Sequence, residues 1–340
     1  MLHAFRAVSA LLVAALAAVS LPSQAPFASR VVGFDTQGGA GGGIFAPQQA
    51  LGAPQGGGPA QGSLHVHSLG TGGWLHLGFD LAIVDGPGAD LIVSENPFFA
   101  GVGQSFAEFG FVEVSSNGVD FARFPSAYFG PSGGPGAFGV LTVGSAAGLA
   151  GQTPVRAGSA TTPGADPFDV VDAGGDAFDL ADLRAHPLVQ NGLVRLDGIR
   201  HVRLVDVVDG VSRDARGVPI RDHAQGSADI DAVTVLHHAA ELTPNHPRVE
   251  VVIPADGNFE IRVDDPDGFA DLDLATLRVA VYGVPIAPMD LLGAMTFPRV
   301  DATGFTARLG GPLPPGFLLQ LAVSVRDRAG HRSGAVRQRG

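Results

Sequence analysis

Residues 78–125 read GFDLAIVDGPGADLIVSENPFFAGVGQSFAEFGFVEVSSNGVDFARFP, and they decide the fold class. Short runs at Trp74–Leu81, Asp90–Glu95, Ala107–Ser115 and Val119–Phe124 alternate apolar and polar residues with the period of two that a half-buried strand requires. Gly and Pro punctuate them, and Asn117-Gly118 between the last two runs predicts a two-residue type I′ hairpin. The same pattern returns at Ile199–Val207 and Ile230–Leu236, within IRHVRLVDVVDG and DIDAVTVLHH. Upstream, strands are expected at Arg30–Phe34 and Ser63–Leu69, joined by a Gly- and Pro-rich loop over residues 36–62. Only AFDLADLRAHPLV, with Phe178, Leu180 and Leu183 at helical spacing, predicts a turn or two of helix. Residues 30–240 therefore read as an all-β module, a jelly-roll-like β-sandwich.

The polar stretch LTPNHPR, with Pro244 and Pro247, predicts a linker over residues 241–248. Beyond it, alternating runs at Val249–Ile253, Phe259–Val263, Leu277–Val281, Phe305–Leu309 and Leu318–Arg326 predict a smaller Ig-like or cadherin-like β-sandwich over residues 249–335.

Residues 1–25 have the parts of a secretory signal peptide: Arg6, an apolar stretch from Ala7 to Leu21, and Ser23-Gln24-Ala25 as a small-x-small cleavage site. The apolar stretch is shorter than the roughly 20 residues a membrane-spanning helix needs, so no membrane insertion is expected after cleavage. The expected location is secreted, on the cell surface, or in the periplasm of a bacterium. The chain has no Cys, which excludes disulfides, thiolate metal sites and a lipobox. The polar C-terminal stretch RDRAGHRSGAVRQRG is not expected to act as a second hydrophobic anchor. All 21 basic residues are Arg, and the formal charge of −12 disfavours nucleic acid and anionic membranes as partners.

Several motifs occur in a fixed order: Asp85-Gly86-Pro87-Gly88 with Asp90, Val93 and Glu95-Asn96; Glu108 with Val112-Glu113-Val114-Ser115 and Phe121; Val202-Arg203 with Asp206; and Asp229 with Asp231-Ala232-Val233. Over residues 31–238 this order resembles a family of exported bacterial cell-surface proteins. The resemblance implies a jelly-roll module related to carbohydrate-binding and discoidin-like modules, and extracellular binding rather than catalysis. Asn117 stands where the family pattern has Asp, and the C-terminal stretch is not expected to serve as the sorting tail that many such proteins carry. DLATLRVAVYGVPI and VSVRDRAGHRS resemble the Ig-like modules appended to such proteins.

The phase of the acids points to a cation. Glu95 shares a strand face with Leu91 and Val93, Glu108 with Val112 and Val114, Asp206 with Val202 and Leu204, and Asp231 with Val233 and Val235. If those aliphatic faces form the core, four carboxylates lie near strand ends on buried sides, and each needs a partner. With no Lys in the chain, the partners are Arg, turn N–H groups or a metal. Hard oxygen ligands in loops suit Ca²⁺, so Glu95, Glu108, Asp206 and Asp231 are the expected ligands of a structural Ca²⁺, with Asp85, Asn96, Asp209, Asp222 and Asp229 in adjoining turns. The alternative is that these acids only cap turns. Glu113, out of phase with Glu108, is expected to face solvent.

A second acidic run, Asp264 to Asp273, lacks the twelfth-position Glu and flanking helices of an EF-hand. It reads as a solvated turn, with a cadherin-like Ca²⁺ site as the alternative. His65, His67 and His76 have spacing that permits Zn²⁺, although a solvent-facing pair explains His65 and His67 as well. Phe98, Phe99, Tyr128 and Phe129 are the expected exposed aromatics for stacking on a sugar, whereas Trp74 is assigned to the core. No G-x-S-x-G, H-E-x-x-H or P-loop is present, so the chain is not read as an enzyme. The expected function is non-catalytic binding outside the cell, of a glycan or another extracellular ligand. A structural or adhesive surface protein and a nutrient-capture protein are the alternatives.

Overall fold

The computed structural model describes residues 25–39, 45–137, 139–253, 258–282, 289–311 and 319–339. The signal-peptide stretch, apart from Ala25, lies outside the described residues. Among those described, no helix is long and apolar enough to cross a membrane.

The fold is all-β. The principal strands of the first sandwich are β1 (Arg30–Asp35), β2 (Trp74–Ile83), β3 (Leu91–Ser94), β4 (Gly110–Ser115), β5 (Ala122–Arg123), β6 (Asp176–Phe178), β7 (Ile199–Asp206) and β8 (Ala232–Val235). They form a five-stranded antiparallel sheet, order β1-β2-β7-β4-β5, and a three-stranded one, order β6-β3-β8. The core between them takes Leu75, Leu77, Phe79 and Ile83 from alternate positions of β2, and Val112 and Val114 from β4. Val202 and Leu204 of β7 face Leu91, Val93, Val233 and Val235 of the smaller sheet in the same cluster. Ile199 also joins this core because the register of β7 slips between Ile199 and His201. The expected short helices are a 3₁₀ turn at Leu180–Leu183, capped by Asp179, and one α-turn at Pro187–Gln190.

β3 is buried along its whole length because both of its faces are covered. Ile92 points away from Leu91 and Val93 into a second cluster with Phe99, Val170, Val171, Ala280, Tyr282 and Ala322. That cluster joins the first sandwich to a second one.

The second sandwich comprises β9 (Arg248–Val252), β10 (Glu260–Asp264), β11 (Leu272–Tyr282), β12 (Met289–Asp290), β13 (Met295–Val300), β14 (Gly304–Leu309), β15 (Leu319–Asp327) and β16 (Arg332–Arg339). Its two four-stranded sheets run β9-β10-β14-β13 and β12-β11-β15-β16. They enclose Phe259, Ile261, Val263, Val279, Val281, Phe305, Leu321, Val323 and Val325. Polar groups also cross the junction: Tyr282 donates its hydroxyl to the Val171 carbonyl at 2.5 Å, and the Ser324 hydroxyl donates to the Asp169 carboxylate at 2.9 Å.

Several local expectations change. The strand expected at Ser63–Leu69 is only His67–Ser68, which pairs with Asp229–Ile230. The Asn117-Gly118 turn is not a two-residue type I′ hairpin: Gly118 has φ 76° but Asn117 is not left-handed. Asn117 Oδ1 instead accepts from the Val119 and Asp120 amides, and the longer turn pairs Glu113 with Arg123. The single-residue slip changes which residue stands opposite each position.

Candidate functional site

β7 ends in an acid, one directly follows β3, others lie in the segment entering β8, and the loop ahead of β4 supplies another. Glu95 directly follows β3 and is 2% exposed. Its Oε1 accepts from the Asp229 amide at 2.7 Å, while Oε2 is buried without a partner in hydrogen-bonding geometry. Glu108 precedes β4 by two residues, outside the strand phase expected for it. A Cβ on Gly226 would stand 1.7 Å from Glu108 Oε1, and one on Gly151 would stand 1.9 Å from the Glu108 carbonyl and 3.3 Å from Glu95 Oε2. Backbone without side chains is therefore packed directly against both acids. Asp206, the last residue of β7, accepts from the Gly72 amide at 2.8 Å and the Ala228 amide at 2.9 Å. Asp222 accepts from the amides of Phe109 and His223.

These groups repel one another. Burial first, then the charges of Glu108 and Asp229, holds the Glu95 carboxyl well above the usual range. Burial, then Asp229 and Asp206, pushes Glu108 up to about 8. Burial is the main cause for Asp206, raised to about 7, with Asp229 adding to it. Burial raises Asp222 well above its ordinary value, with Asp206 and Glu108 adding, and burial raises Asp229 as well. Among the described residues, no Arg or His forms an ion pair with Glu95, Glu108, Asp206, Asp222 or Asp229. A hard cation would reverse this electrostatic situation, turning mutual repulsion into shared coordination. The donor set is all oxygen and includes one buried oxygen without a partner, but among the described residues no three of these acids bring ligand oxygens within 4.8 Å of one another.

The expected ligands divide. Glu95, Glu108 and Asp206 fall in this repelling group together with Asp229 and Asp222. Asp231 does not: both of its oxygens accept from the Gln55 amide, and its carboxyl is raised to about 7 by burial, unshifted by these neighbours. Asn96 clasps the backbone of Ser63 and also hydrogen-bonds the Asp229 carboxylate, whereas Asp209 pairs with Arg221.

The tightest convergence of acids lies elsewhere. Among the described residues, two groups bring one ligand oxygen from each of three acids within 4.8 Å of one another: Asp85, Asp90 and Asp179, and Asp265, Asp271 and Asp327. Glu95, Glu108, Asp206 and Asp231 belong to neither. In the first group Asp85 already holds a counter-charge and Asp90 is fully hydrogen-bonded. Arg184 grips Asp85 Oδ2 at 2.8 Å and 3.0 Å, and Asp90 Oδ1 lies 2.9 Å from His237 Nδ1 while its carboxylate accepts from the Gly86 and Leu180 amides.

Glu113 corrects the solvent-facing expectation. It is 5% exposed and held by Arg123 at 2.7 Å and Arg203 at 2.6 Å. The expected histidine ligands do not converge: His67 Nδ1 meets the Phe45 carbonyl, His65 Nε2 meets the Gln55 amide, and His76 Nε2 meets His201 Nδ1. Burial, then His201, Arg203 and Arg30, lowers His76 to about 4.

Two of the four aromatics expected at the surface are core residues. Phe99 lies in the cluster between the sandwiches, and Tyr128 packs with Phe109, Phe111 and Leu141 while its hydroxyl donates to the Pro131 carbonyl. Phe129 is half-buried beneath the Arg216 guanidinium, 4.9 Å from its ring centre. Phe98 remains partly open and stacks on Phe106, centroids 5.3 Å apart and planes 11° apart. Phe106, which the strand pattern did not single out, also meets the His223 ring at 4.3 Å. The stacked pair thus lies beside Glu95 and Glu108 in the chain and against the turn that follows Asp222. Trp74 is half-buried.

No family model matches the chain, and no curated protein matches it. Among solved structures, the apo form of β-glucuronidase 3 from Bacteroides uniformis aligns over 87% of this chain at 14% identity, with a TM-score of 0.16. The chain spans 29% of that protein's length. A TM-score this low carries no inference about fold or activity.

Proposed function

We propose that the chain is an exported, non-catalytic binding protein of the bacterial cell exterior, and that the acids at the strand ends of its first sandwich hold Ca²⁺ in support of a glycan-binding surface. The observation that carries this reading is that Glu95, Glu108, Asp206 and Asp229 repel one another without an Arg or His ion pair among the described residues, and that Glu95 Oε2 is buried without a partner. A buried, unpaired anion costs several kcal/mol, and a divalent ion offsets it. The stacked Phe98 and Phe106 rings beside these acids offer the apolar, partly open face on which a sugar ring stacks. Absence of a nucleophile motif and the negative charge favour a neutral, non-reacting ligand.

The test is a glycan array run in millimolar Ca²⁺ and again in EDTA, with Phe98→Ala beside the wild type. Calcium-dependent retention on one class of glycan, lost in Phe98→Ala, supports the reading. Equal retention with and without calcium, or no retention on any glycan, overturns it. A structural or adhesive role without a small ligand is the second reading. Burial of Phe99 and Tyr128 favours it, because it leaves fewer aromatics for a ligand.

A further inference from the structure

We propose that the second sandwich carries its own divalent-cation site, built from Asp265, Asp271 and Asp327, with Ca²⁺ as the ion it takes. One carboxylate oxygen from each of the three lies within 4.8 Å of the other two. The three come from two turns that the fold sets side by side. Asp265 and Asp271 flank the turn between β10 and β11, and Asp327 closes β15. The Arg328 amide donates to the Asp271 carbonyl at 2.8 Å, which ties the two turns together.

Most of the turn is solvated, as its composition suggests, but Asp265 is not. Asp265 and Asp327 are each 3% exposed. Asp265 Oδ1 accepts from the Asp267 amide at 2.8 Å, but Oδ2 is buried with no partner. A carboxylate so enclosed normally meets an Arg, and here none approaches: among the described residues, neither Asp265 nor Asp271 forms an ion pair, while neighbouring Asp264 takes Arg299 at 2.8 Å. Three convergent carboxylates, one of them with an orphaned buried oxygen, have the donor chemistry of a hard-cation site, where the ion takes six to eight oxygens from carboxylates, carbonyls and water.

Asp327 is prepared for this role by its own neighbour. The His331 amide donates to Asp327 Oδ1 at 2.8 Å, and His331 Nδ1 lies 2.5 Å from Oδ2. Ligating carboxylates are commonly oriented by such outer partners. The His331 ring also lies 4.8 Å from His246 in the connecting segment, and His246 lies 5.2 Å from His237 of the first sandwich. The site therefore adjoins the segment that joins the two sandwiches, and filling it would fix the end of that joint. It stands apart from the Glu95 group and is independent of the reading proposed for it.

Manganese(II) provides the probe, because it occupies oxygen sites and broadens the magnetic resonances of nearby nuclei. In the full chain with carbon-13-labelled histidines, substoichiometric Mn²⁺ should broaden the His331 ring signals, and excess Ca²⁺ should restore them. His223, which packs against Gly226 beside Glu108, reports separately on the first sandwich. Asp265→Asn should abolish the His331 effect and lower the calcium bound at saturation by one ion per chain, leaving the His223 response unchanged. Unbroadened His331 signals in the wild type, or broadening that survives Asp265→Asn, overturns the site. If the variant does not fold, the wild-type titration decides alone.

Discussion

Glu108 and Glu113 lie five positions apart on the same segment, and they meet opposite electrostatic fates. Glu113 faces Arg123 and Arg203, the residues directly across from it on β5 and β7, and both guanidiniums bind it. Glu108 sits at the end of the sandwich where loops rather than strands converge, and its neighbours are other carboxylates. In the middle of a sheet, register can bring a counter-ion to a buried acid. At strand ends, the same composition leaves the acids to turn amides and to whatever ion the solvent supplies.

The largest expected effect breaks the paired side of this contrast. Replacing both Arg123 and Arg203 by Ala strands Glu113 and should destabilise the protein by about 2–4 kcal/mol at pH 7, the low end for a buried pair because both guanidiniums are a third or more exposed. Urea unfolding measures it, and adding Glu113→Gln should recover most of the loss.

On the unpaired side, removing charge should help rather than harm. Without divalent cations, Glu108→Gln at pH 8 is expected to stabilise by about 1 kcal/mol, a rise in melting temperature of roughly 2–4 °C. The same variant should lose most of the stabilisation that calcium is proposed to give the wild type. A fall in melting temperature in EDTA would mean that Glu108 is satisfied as it stands.

The pH dependence carries the same contrast in its sign. Glu108 and Asp206 have folded-state values of about 8 and about 7, above their ordinary ones, so their contribution is complete in acid and is lost as pH rises through those values. His76, lowered to about 4, acts oppositely and loses its contribution as pH falls below its ordinary value. In EDTA these two acids should therefore make the melting temperature decline from about pH 4 to about pH 8, with His76 offsetting part of the decline below its ordinary value. Saturating calcium, which holds the acids ionised, should flatten that decline.

The smallest effect is expected at the surface. Asn117→Asp keeps the side-chain oxygen that accepts from the Val119 and Asp120 amides, and exchanges its contact with Asp120 for an exposed like charge. The change in stability should stay within about 0.5 kcal/mol. A larger loss would show that exposed acids here behave like the buried ones.

Much of the architecture is legible in local pattern. The two-residue periodicity of Trp74–Ile83 and Ile199–Asp206 identifies their inward faces, and the acids that follow Val93 and Leu204 in phase do sit at buried strand ends. Glu113 was not legible because its burial depends on a turn one residue longer than Asn117-Gly118 implies, which sets Arg123 rather than Ala122 opposite it. Its second partner, Arg203, is distant in sequence and reaches it only through sheet order. Phe99 and Tyr128 follow turn residues and read as exposed, yet packing between the sandwiches covers the first and the loop strands cover the second. Asp327 carried no signal beyond an Ig-like turn, since its relation to Asp265 arises only when β11 and β15 pair.

The most direct test of the central claim is calcium content and melting temperature measured on the same purified, mature protein, in Glu95→Gln beside the wild type. Wild type should hold stoichiometric calcium and melt lower after EDTA, and Glu95→Gln should bind one ion fewer and respond less to the chelator. A wild type that holds no calcium, or an identical calcium content and EDTA response in both proteins, would mean that the strand-end acids of the first sandwich do nothing more than cap turns.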